Sequence, residues 1–172
     1  MWLKLVRIVF FVFLGIFLLV GWIWNYRRNY GIYKMPTSSM EPTIKEGSKI
    51  KVNLSIYKSR TPERWDIVIF KRENRTMGPE RVVALPGETV QIKNGEIYIN
   101  GKLKEKPESI KNVYYFSDGK YGIKETIIPK DCVFLLGDNS MNSKDSRYFG
   151  PIPLKSILGK VIRIYPPKIK EK

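Results

Sequence analysis

The sequence of 172 residues contains no histidine and a single cysteine, Cys132. The absence of histidine excludes Ser-His-Asp and Cys-His catalytic groups and every metal site that depends on imidazole. One cysteine forms neither an intramolecular disulfide nor a thiolate cluster for zinc. Because Cys132 begins the apolar run Cys132–Leu136, we interpret it as a buried structural thiol. We expect no metal and no cofactor.

Acidic residues are also scarce, with 16 Asp and Glu against 31 Lys and Arg, which gives a net charge of +15. Such an excess is compatible with binding to nucleic acid, with binding to anionic lipid headgroups, or with solubility alone. The sequence has no zinc-finger spacing and no RNP-like motif to support binding of nucleic acid. A basic domain tethered to a bilayer, in contrast, meets anionic headgroups continuously. The charge therefore favours membrane lipid over nucleic acid as a partner.

Only one run of the sequence is long and apolar enough to suggest a membrane span. Every residue from Ile8 to Trp24 is apolar or glycine, and apolar residues before Ile8 extend the run toward the roughly 20 residues that a spanning helix needs. A cleavable signal peptide is the alternative, but no small-residue cleavage site follows the run. We therefore predict a retained anchor over 1–28 and a soluble domain over 29–172. Basic residues flank both ends of the anchor, so their distribution does not orient it.

The chain after the anchor has the patterns of β-strands. Short segments alternate apolar and polar residues or form brief apolar runs. Asn94-Gly95 is a strong hairpin signal between two such segments, and Asn100-Gly101 follows as a second turn. The pattern loosens over 102–130, which we interpret as a peripheral excursion, and only Pro153–Leu158 suggests a helical turn. We predict an all-β domain. Its expected strands lie in Lys49–Leu54, Trp65–Phe70, Arg81–Leu85, Val90–Lys93, Glu96–Ile99, Cys132–Leu136 and Lys160–Tyr165.

A cluster of hydroxyl side chains follows the anchor, in the segment Met35–Thr43. Pro36 and Pro42 bracket these hydroxyls, and each proline fixes its own φ and pushes the preceding residue into an extended conformation. A serine between two such residues, Ser39, has a well-defined direction and does not relax into a helix. From these residues alone, Ser39 is either a nucleophile or an ordinary turn serine.

Four segments of the chain carry a resemblance to a known family. They are, in order, Pro36–Thr43, Trp65–Lys71, Arg81–Glu88 and Gly137–Gly150. They resemble the serine box, the core-strand box, the box after the catalytic lysine and the last, most specific box of the type I signal peptidases. Their order and spacing after an N-terminal anchor match the family, so the resemblance covers essentially the whole chain. It implies a domain of coiled antiparallel β-sheets, tethered to the cell membrane by one transmembrane helix, on the extracytoplasmic side.

The resemblance also implies a function and roles for particular residues. The protein would be a serine endopeptidase that removes signal peptides from exported preproteins. Ser39 would be the nucleophile, and its backbone N–H would form the oxyanion hole together with the Thr37 hydroxyl. Ser143 would orient the general base, and Asp145 and Arg147 would form a structural ion pair. The signal peptide would add as an extended strand between the segments that precede Ser39 and the third box, with small side chains in shallow pockets.

The chain departs from the family at the general base, which in the family is a lysine directly before the arginine of the third box. Glu80 stands at that position, and no lysine lies between Lys71 and Lys93. A glutamate has a reference pKa of about 4.3, so burial would have to raise it by about two pH units or more for a base at neutral pH. Three interpretations remain open. Glu80 acts as a substitute base, Lys144 or Lys71 reaches the site, or the chain is an impaired homologue that binds signal peptides without cleaving them.

Other functional classes remain as alternatives at this point. A dedicated pilin or conjugation peptidase would use similar sequence boxes and would differ in its substrate. A non-catalytic binding or scaffolding protein would share the fold, and a membrane-tethered nucleic-acid binder would show salt-dependent binding to DNA.

Overall fold

The computed structural model of the protein describes residues 2–73 and 75–167, except for the side chains of residues 3 and 5. The first element is the helix α1, Trp2–Asn29, which ends one residue beyond the predicted anchor. Its part Val6–Asn29 is long and apolar enough to cross a membrane, and it is not buried against the rest of the protein. Residue 1 of the expected anchor and residues 74 and 168–172 of the expected domain lie outside the described residues.

An aromatic stack connects the end of α1 to the β domain. The ring centroids of Trp22 and Tyr26 lie 5.7 Å apart, and those of Tyr26 and Tyr30 lie 4.9 Å apart. The Lys51 ammonium lies 5.0 Å from the Tyr26 ring centroid and 4.8 Å from that of Tyr30, which is within the range of cation–π attraction. Aromatic residues in such a position are typical of a membrane–water interface. The helix therefore leaves the domain beside its first two strands.

The rest of the chain forms two antiparallel β-sheets. The strands are β1 (Tyr30–Lys34), β2 (Lys49–Asn53), β3 (Ile67–Arg72), β4 (Arg75–Ala84), β5 (Thr89–Lys93), β6 (Glu96–Ile99), β7 (Lys102–Leu103), β8 (Thr126–Ile127), β9 (Cys132–Leu136), β10 (Ile152–Pro153) and β11 (Ile157–Tyr165). One sheet has the order β1-β2-β11-β3-β4-β9-β10, and the other has the order β7-β6-β5-β8. Every pairing of neighbouring strands is antiparallel. The predicted all-β class with one N-terminal apolar helix is confirmed.

Strands with a clear apolar pattern lie where the sequence predicts them. Strands β6 and β9 coincide with their predicted segments, and β2 and β5 differ from theirs by one residue. The structure adds β1, β7, β8 and β10 and a four-residue helix α2, Ser146–Phe149. Most of these elements are too short to show a period of apolar residues in the sequence. Strand β1 directly follows the long apolar helix, so its own pattern does not stand out.

Strand β4 begins six residues earlier than predicted, at Arg75 rather than Arg81. The strand continues back through Gly78 and Pro79, and the register between β3 and β4 shifts beside them, where Val68 pairs with Glu80 and Phe70 with Met77. A bulge of this kind accommodates proline, because the ladder there does not need its missing N–H. The consequence for the site is that Glu80 is a strand residue and not a loop residue.

The second sheet starts at Thr89, so the predicted excursion over 102–130 began too late. The hairpin β5–β6 was assigned to the main domain, but it pairs with β7 and β8. The hairpin turn has Asn94 and Gly95 at positive φ, as the Asn-Gly signal predicts. Buried residues of both sheets share one core, which explains why their apolar patterns do not separate them. This core contains Val83, Ala84, Phe134 and Leu136 of the first sheet and Val90, Ile92, Ile97 and Ile99 of the second, together with Tyr115.

Candidate active site

Two buried methionines hold the serine segment in place. Met35 and Met40 have no exposed surface and pack in a core with Ile44 of the same segment. The Met35 N–H donates to Ser48 O at 2.8 Å, and the Ile44 N–H donates to Met40 O at 2.8 Å. Ser39, directly before the buried Met40, is partly exposed. Buried residues of this segment therefore support Ser39, whose side chain lies near the surface.

The Ser39 hydroxyl is close to the hydroxyl of Thr37. Ser39 Oγ and Thr37 Oγ1 lie 3.2 Å apart, a distance at which either group donates a hydrogen bond to the other. Thr37 is exposed, and within the described residues the Ser39 N–H has no hydrogen-bond acceptor. The resemblance assigns the Ser39 N–H and the Thr37 hydroxyl to an oxyanion hole, and both groups lie beside the Ser39 hydroxyl. Within the described residues, neither group donates a hydrogen bond to any other part of the protein.

Asn139 joins the last sequence box to the serine segment. Its backbone N–H donates to Ser39 O at 2.9 Å, and its side-chain Nδ2 donates to Ser38 O at 3.1 Å. The sequence analysis assigned no role to Asn139. The sequence signal for such a role was the position of Asn139 in the turn-like run Gly137-Asp138-Asn139-Ser140, because turn residues of this type often form hydrogen bonds with backbone groups.

Gly137 marks the closest approach of three parts of the site. A Cβ at this position would lie 2.3 Å from Ser143 Oγ and 2.7 Å from Ser39 O, well inside contact distance. Only glycine allows the backbone at 137 to approach both groups so closely. The structure thus brings together Ser39 and Ser143, which are far apart in the sequence.

Glu80 lies on the face of the sheet toward which a Cβ at position 137 would point. Arg81 pairs with Leu136 and Val82 with Leu135 across β4 and β9. Continuing this register by one residue places Glu80 beside Gly137, and cross-strand partners point to the same face. Glu80 therefore faces the space shared by Ser143 and Ser39.

The Glu80 carboxyl is buried without a partner. The residue is 6% exposed, and among the described residues Oε2 has no hydrogen bond. Burial raises the pKa of Glu80 well above its ordinary value, and the charge of Asp145 raises it further. Arg147 and Arg72 lower it in opposition. Within the described part of the chain, no hydrogen bond joins the Glu80 carboxyl to Ser39 or to Ser143.

Asp145 and Arg147 form a fully buried ion pair. Arg147 Nε donates to Asp145 Oδ1 at 2.8 Å, and Arg147 Nη2 donates to Asp145 Oδ2 at 3.0 Å. Asp145 also accepts the Gly137 N–H at 3.1 Å, and Arg147 Nη2 donates to Ser143 O at 3.2 Å. The pair thereby fixes the backbone on which both Gly137 and Ser143 lie.

A second buried ion pair lies on the other face of β4. Arg81 Nε and Nη2 donate to the two oxygens of Asp138 at 2.8 and 2.6 Å, a bidentate geometry. The Thr43 hydroxyl donates to Asp138 as well, which ties the end of the serine segment to this pair. The sequence analysis assigned no role to this pair, although both residues lie in the recognised boxes. Alternation along β4 explains why Arg81 and Glu80 face opposite sides.

The alternative lysines lie at the surface. Lys71 and Lys144 are exposed, and within the described residues neither forms a hydrogen bond or ion pair with a site residue. Of Glu80, Lys71 and Lys144, only Glu80 is buried, and continuing the register of β4 and β9 places it opposite Gly137. Among the described residues, no cluster of three or more His, Cys, Asp or Glu side chains is arranged to hold a metal ion.

A small cavity of about 240 Å³ opens between the segment before Ser39 and the segment before Glu80. Its lining is mostly apolar and contains no bulky aromatic group other than Tyr33. The residues that line it are Tyr33, Lys34, Pro36, Ile50, Ile69, Thr76, Met77, Gly78 and Pro79. The cavity occupies the place at which a substrate strand was predicted.

The raised pKa of Glu80 predicts how stability depends on pH. The folded protein retains a proton on Glu80 that the unfolded chain releases above about pH 4.5, so the free energy of unfolding falls as pH rises from that value toward the folded-state pKa. We expect Glu80→Gln, which removes this titration, to raise the melting temperature by a few degrees at pH 8 and to change it little at pH 4. Thermal unfolding of the full chain in detergent measures both values. The matched variant Glu73→Gln alters an exposed carboxyl and should have no such effect; an equal gain at both pH values for Glu80→Gln would contradict a raised pKa.

Comparisons with known proteins find relatives of this chain. Residues 2–165 match the family model described as signal peptidase, peptidase S26. Signal peptidase I V of Bacillus subtilis (strain 168) is 38% identical over 135 residues, which cover 74% of this chain and 80% of that protein. Signal peptidase IB of Staphylococcus aureus (strain Mu50) is 34% identical over 147 residues, 78% of this chain and 77% of that protein. A crystal structure of a signal peptidase I from Enterococcus faecalis V583 shares 31% identity and a TM-score of 0.49, covering 59% of this chain and 97% of that one.

The family match extends over most of the chain and includes all four sequence boxes, and the curated relatives match 74% and 78% of the chain. The chain belongs to the signal peptidase family, peptidase S26, which confirms the resemblance identified from the sequence.

Proposed function

We propose that this protein is a membrane-anchored serine endopeptidase that removes signal peptides from exported preproteins, with Ser39 as nucleophile and Glu80 in place of the family's lysine. The observation that carries the proposal is the close approach of Ser39 and Ser143 at Gly137, and the register of β4 and β9 supports a Glu80 side chain on the same face. Names of the relatives support the reaction class, since those proteins are signal peptidases I.

The chemistry follows from this arrangement. As the Ser39 hydroxyl attacks the scissile carbonyl carbon, the Glu80 carboxylate accepts the hydroxyl proton. The Ser39 N–H and the Thr37 hydroxyl donate hydrogen bonds to the oxyanion that forms. Collapse of the tetrahedral intermediate breaks the peptide bond, the proton passes from Glu80 to the leaving amine, and an acyl-enzyme remains on Ser39. Water then attacks the ester by the same route and releases the signal peptide.

The raised pKa of Glu80 supports its role as a base. A general base works best when its pKa lies near the working pH, and burial moves the pKa of this carboxyl in that direction. The same buried environment in the family serves a lysine, whose pKa burial moves in the opposite direction, toward neutrality. One site thus accommodates either residue as a base.

The small cavity beside Pro36 and Pro79 supports a substrate with small side chains next to the cleaved bond. At about 240 Å³ it is below the roughly 300–1,000 Å³ of most ligand pockets, as suits a shallow subsite for a strand. We place α1 across the cell membrane, with the β domain on the extracytoplasmic side and its basic surface beside anionic headgroups.

A second candidate is an impaired homologue that binds signal peptides without cleaving them. The observation that favours it is the lack, within the described residues, of any hydrogen bond between Glu80 and Ser39 or Ser143. Ser39 is hydrogen-bonded to Thr37 instead, so a conformational adjustment on substrate binding is required before Glu80 accepts its proton.

Replacement of the nucleophile separates the two candidates. The wild-type protein in detergent should cleave a preprotein at a small-x-small site slowly, and Ser39→Ala should reduce cleavage to background while leaving signal-peptide binding intact. Release of the mature protein, followed on gels, measures cleavage, and Ser59→Ala, at an exposed serine that lines neither cavity, is the matched control. If the wild type and Ser39→Ala are equally inert but both bind the peptide, the non-cleaving candidate is correct.

A further inference from the structure

A larger cleft of about 600 Å³ opens beside Ser39 and has no role in the reaction described above. Its walls come from the chain after the nucleophile (41–45), from the loop 108–116 and from the last sequence box (138–141). Its volume is within the roughly 300–1,000 Å³ typical of ligand pockets. The cleft is therefore large enough for several residues of an extended peptide.

The wall of this cleft includes the residue that holds the nucleophile segment. Asn139 lines the cleft, and its backbone N–H and side-chain amide donate to the carbonyls of Ser39 and Ser38. No other element separates Asn139 from the serine segment. One wall of the cleft is thus bonded directly to the backbone of the serine segment.

The two cavities lie on opposite sides of Ser39 along the chain. The small cavity is lined by residues that precede Ser39 and Glu80, whereas the large cleft is lined by residues that follow Ser39 and Gly137. A peptide strand that fills the small cavity and presents its carbonyl to Ser39 must continue beyond the cleaved bond. The large cleft, whose wall residue Asn139 is bonded to Ser39 O, is open to this continuation.

Two aromatic side chains at the cleft are exposed but firmly held. Tyr114 and Phe116 are 55% and 41% exposed, and their ring centroids lie 5.1 Å apart in an edge-to-face arrangement. The Tyr114 ring lies so close to Gly95 that a Cβ there would be 2.1 Å from it. The Phe116 N–H donates to Ser140 Oγ at 2.9 Å, which joins this loop to the last sequence box. Exposed apolar groups that are fixed in this way are typical of a binding surface.

The charges along the cleft do not favour an ionic ligand. Glu41 and Glu108 oppose Lys45 and Lys111, and Glu108 and Lys111 face each other at 3.6 Å. Because the two signs balance, binding in the cleft depends on apolar contact and on the peptide backbone. A polypeptide chain of no particular charge meets these conditions.

We propose that this cleft binds the first residues of the exported protein that follow the cleaved bond, with an apolar side chain against Tyr114 and Phe116. The inference rests on the proposed function, because it assumes that a signal-peptide substrate occupies the small cavity. With this cleft, the enzyme recognises residues of the exported protein after the cleaved bond in addition to the small residues before it.

The experiment measures binding without cleavage. The full-length Ser39→Ala protein in detergent is titrated with two fluorescent peptides that share a signal-peptide end. One stops at the cleaved position, and the other continues for six residues and contains a phenylalanine. We expect the extension to lower Kd about five- to tenfold, the range that one buried aromatic contact provides. Adding Phe116→Ala should remove most of this gain and leave the Kd of the short peptide unchanged. Ile127→Ala, a truncation of an exposed apolar residue of β8 outside the cleft, should leave both values unchanged.

Each outcome decides a different point. If the short peptide binds but the extension adds nothing, or if Phe116→Ala leaves the gain in place, the role of the cleft is refuted and the proposed function stands. If neither peptide binds, both the proposed function and the role of the cleft are refuted.

Discussion

Glu80→Lys should increase the rate of signal-peptide cleavage by about two orders of magnitude or more, since a positioned general base contributes about 10²–10⁴-fold. The variant restores the lysine of the family at a buried position beside Gly137 and Ser143. A lysine reaches about one bond further than a glutamate, which shortens the path to the Ser39 hydroxyl. The measurement is kcat/KM on a preprotein with a small-x-small site, using the full chain in detergent.

The charges around position 80 determine how such a lysine titrates. Burial and the nearby Arg147 and Arg72 favour its neutral, basic form, whereas Asp145 favours the ammonium. Cleavage by the variant should therefore increase with pH as the amine loses its proton. The wild type should also gain activity with rising pH, because the Glu80 carboxyl has to ionise before it accepts a proton.

The controls for Glu80→Lys use the same change of charge elsewhere. Glu73→Lys, at an exposed carboxyl at the end of β3, should not change the rate. Combining Glu80→Lys with Ser39→Ala should abolish the gain, because the lysine acts through the serine. A folded Glu80→Lys protein with no gain would show that the surrounding geometry no longer supports the family's mechanism.

The residues of the candidate site were predicted from short segments of the sequence, whereas their arrangement depends on the folded structure. Ser39, Thr37, Ser143, Asp145 and Arg147 lie in the first and last boxes, and Glu80 directly precedes the third box. The closeness of Ser39 and Ser143 depends on Gly137, whose role appears only when β4, β9 and the serine segment are packed together. The same holds for Asn139, since its two hydrogen bonds to the serine segment connect residues about 100 positions apart.

The errors in the predicted fold have two physical causes. The strand β4 was predicted from the apolar run Arg81–Leu85 alone, and the bulge that lets the strand extend back through Gly78 and Pro79 is a tertiary feature. The second sheet was divided at 102 because β5 and β6 have the same alternating pattern as strands of the first sheet, with which they share a core. A pattern of alternation identifies a strand and its buried face but not the sheet to which it belongs.

Arg147→Ala should have the largest effect on stability, a loss of about 3–5 kcal/mol in the free energy of unfolding. Arg147 is completely buried and donates to Asp145, Asp118 and Ser140. Its carbonyl accepts the N–H groups of Lys120 and Tyr121, so the residue connects the last sequence box to the second sheet. Removing the side chain leaves the Asp145 carboxylate buried without its counter-charge. Chemical denaturation of the full chain in detergent measures the loss.

Two further variants separate the causes of this loss. Arg60→Ala breaks an exposed pair with Glu63 and should change stability by no more than about 0.5 kcal/mol. Arg147→Lys keeps the positive charge but loses the planar fork that reaches several acceptors at once, so it should retain only part of the stability. If Arg147→Ala is as stable as Arg60→Ala, the buried pair does not hold the last box in place. In that case the positions of Gly137 and Ser143 beside Glu80 must depend on Arg81–Asp138 and on Asn139 instead, because these are the other contacts that join the box to β4 and to the serine segment.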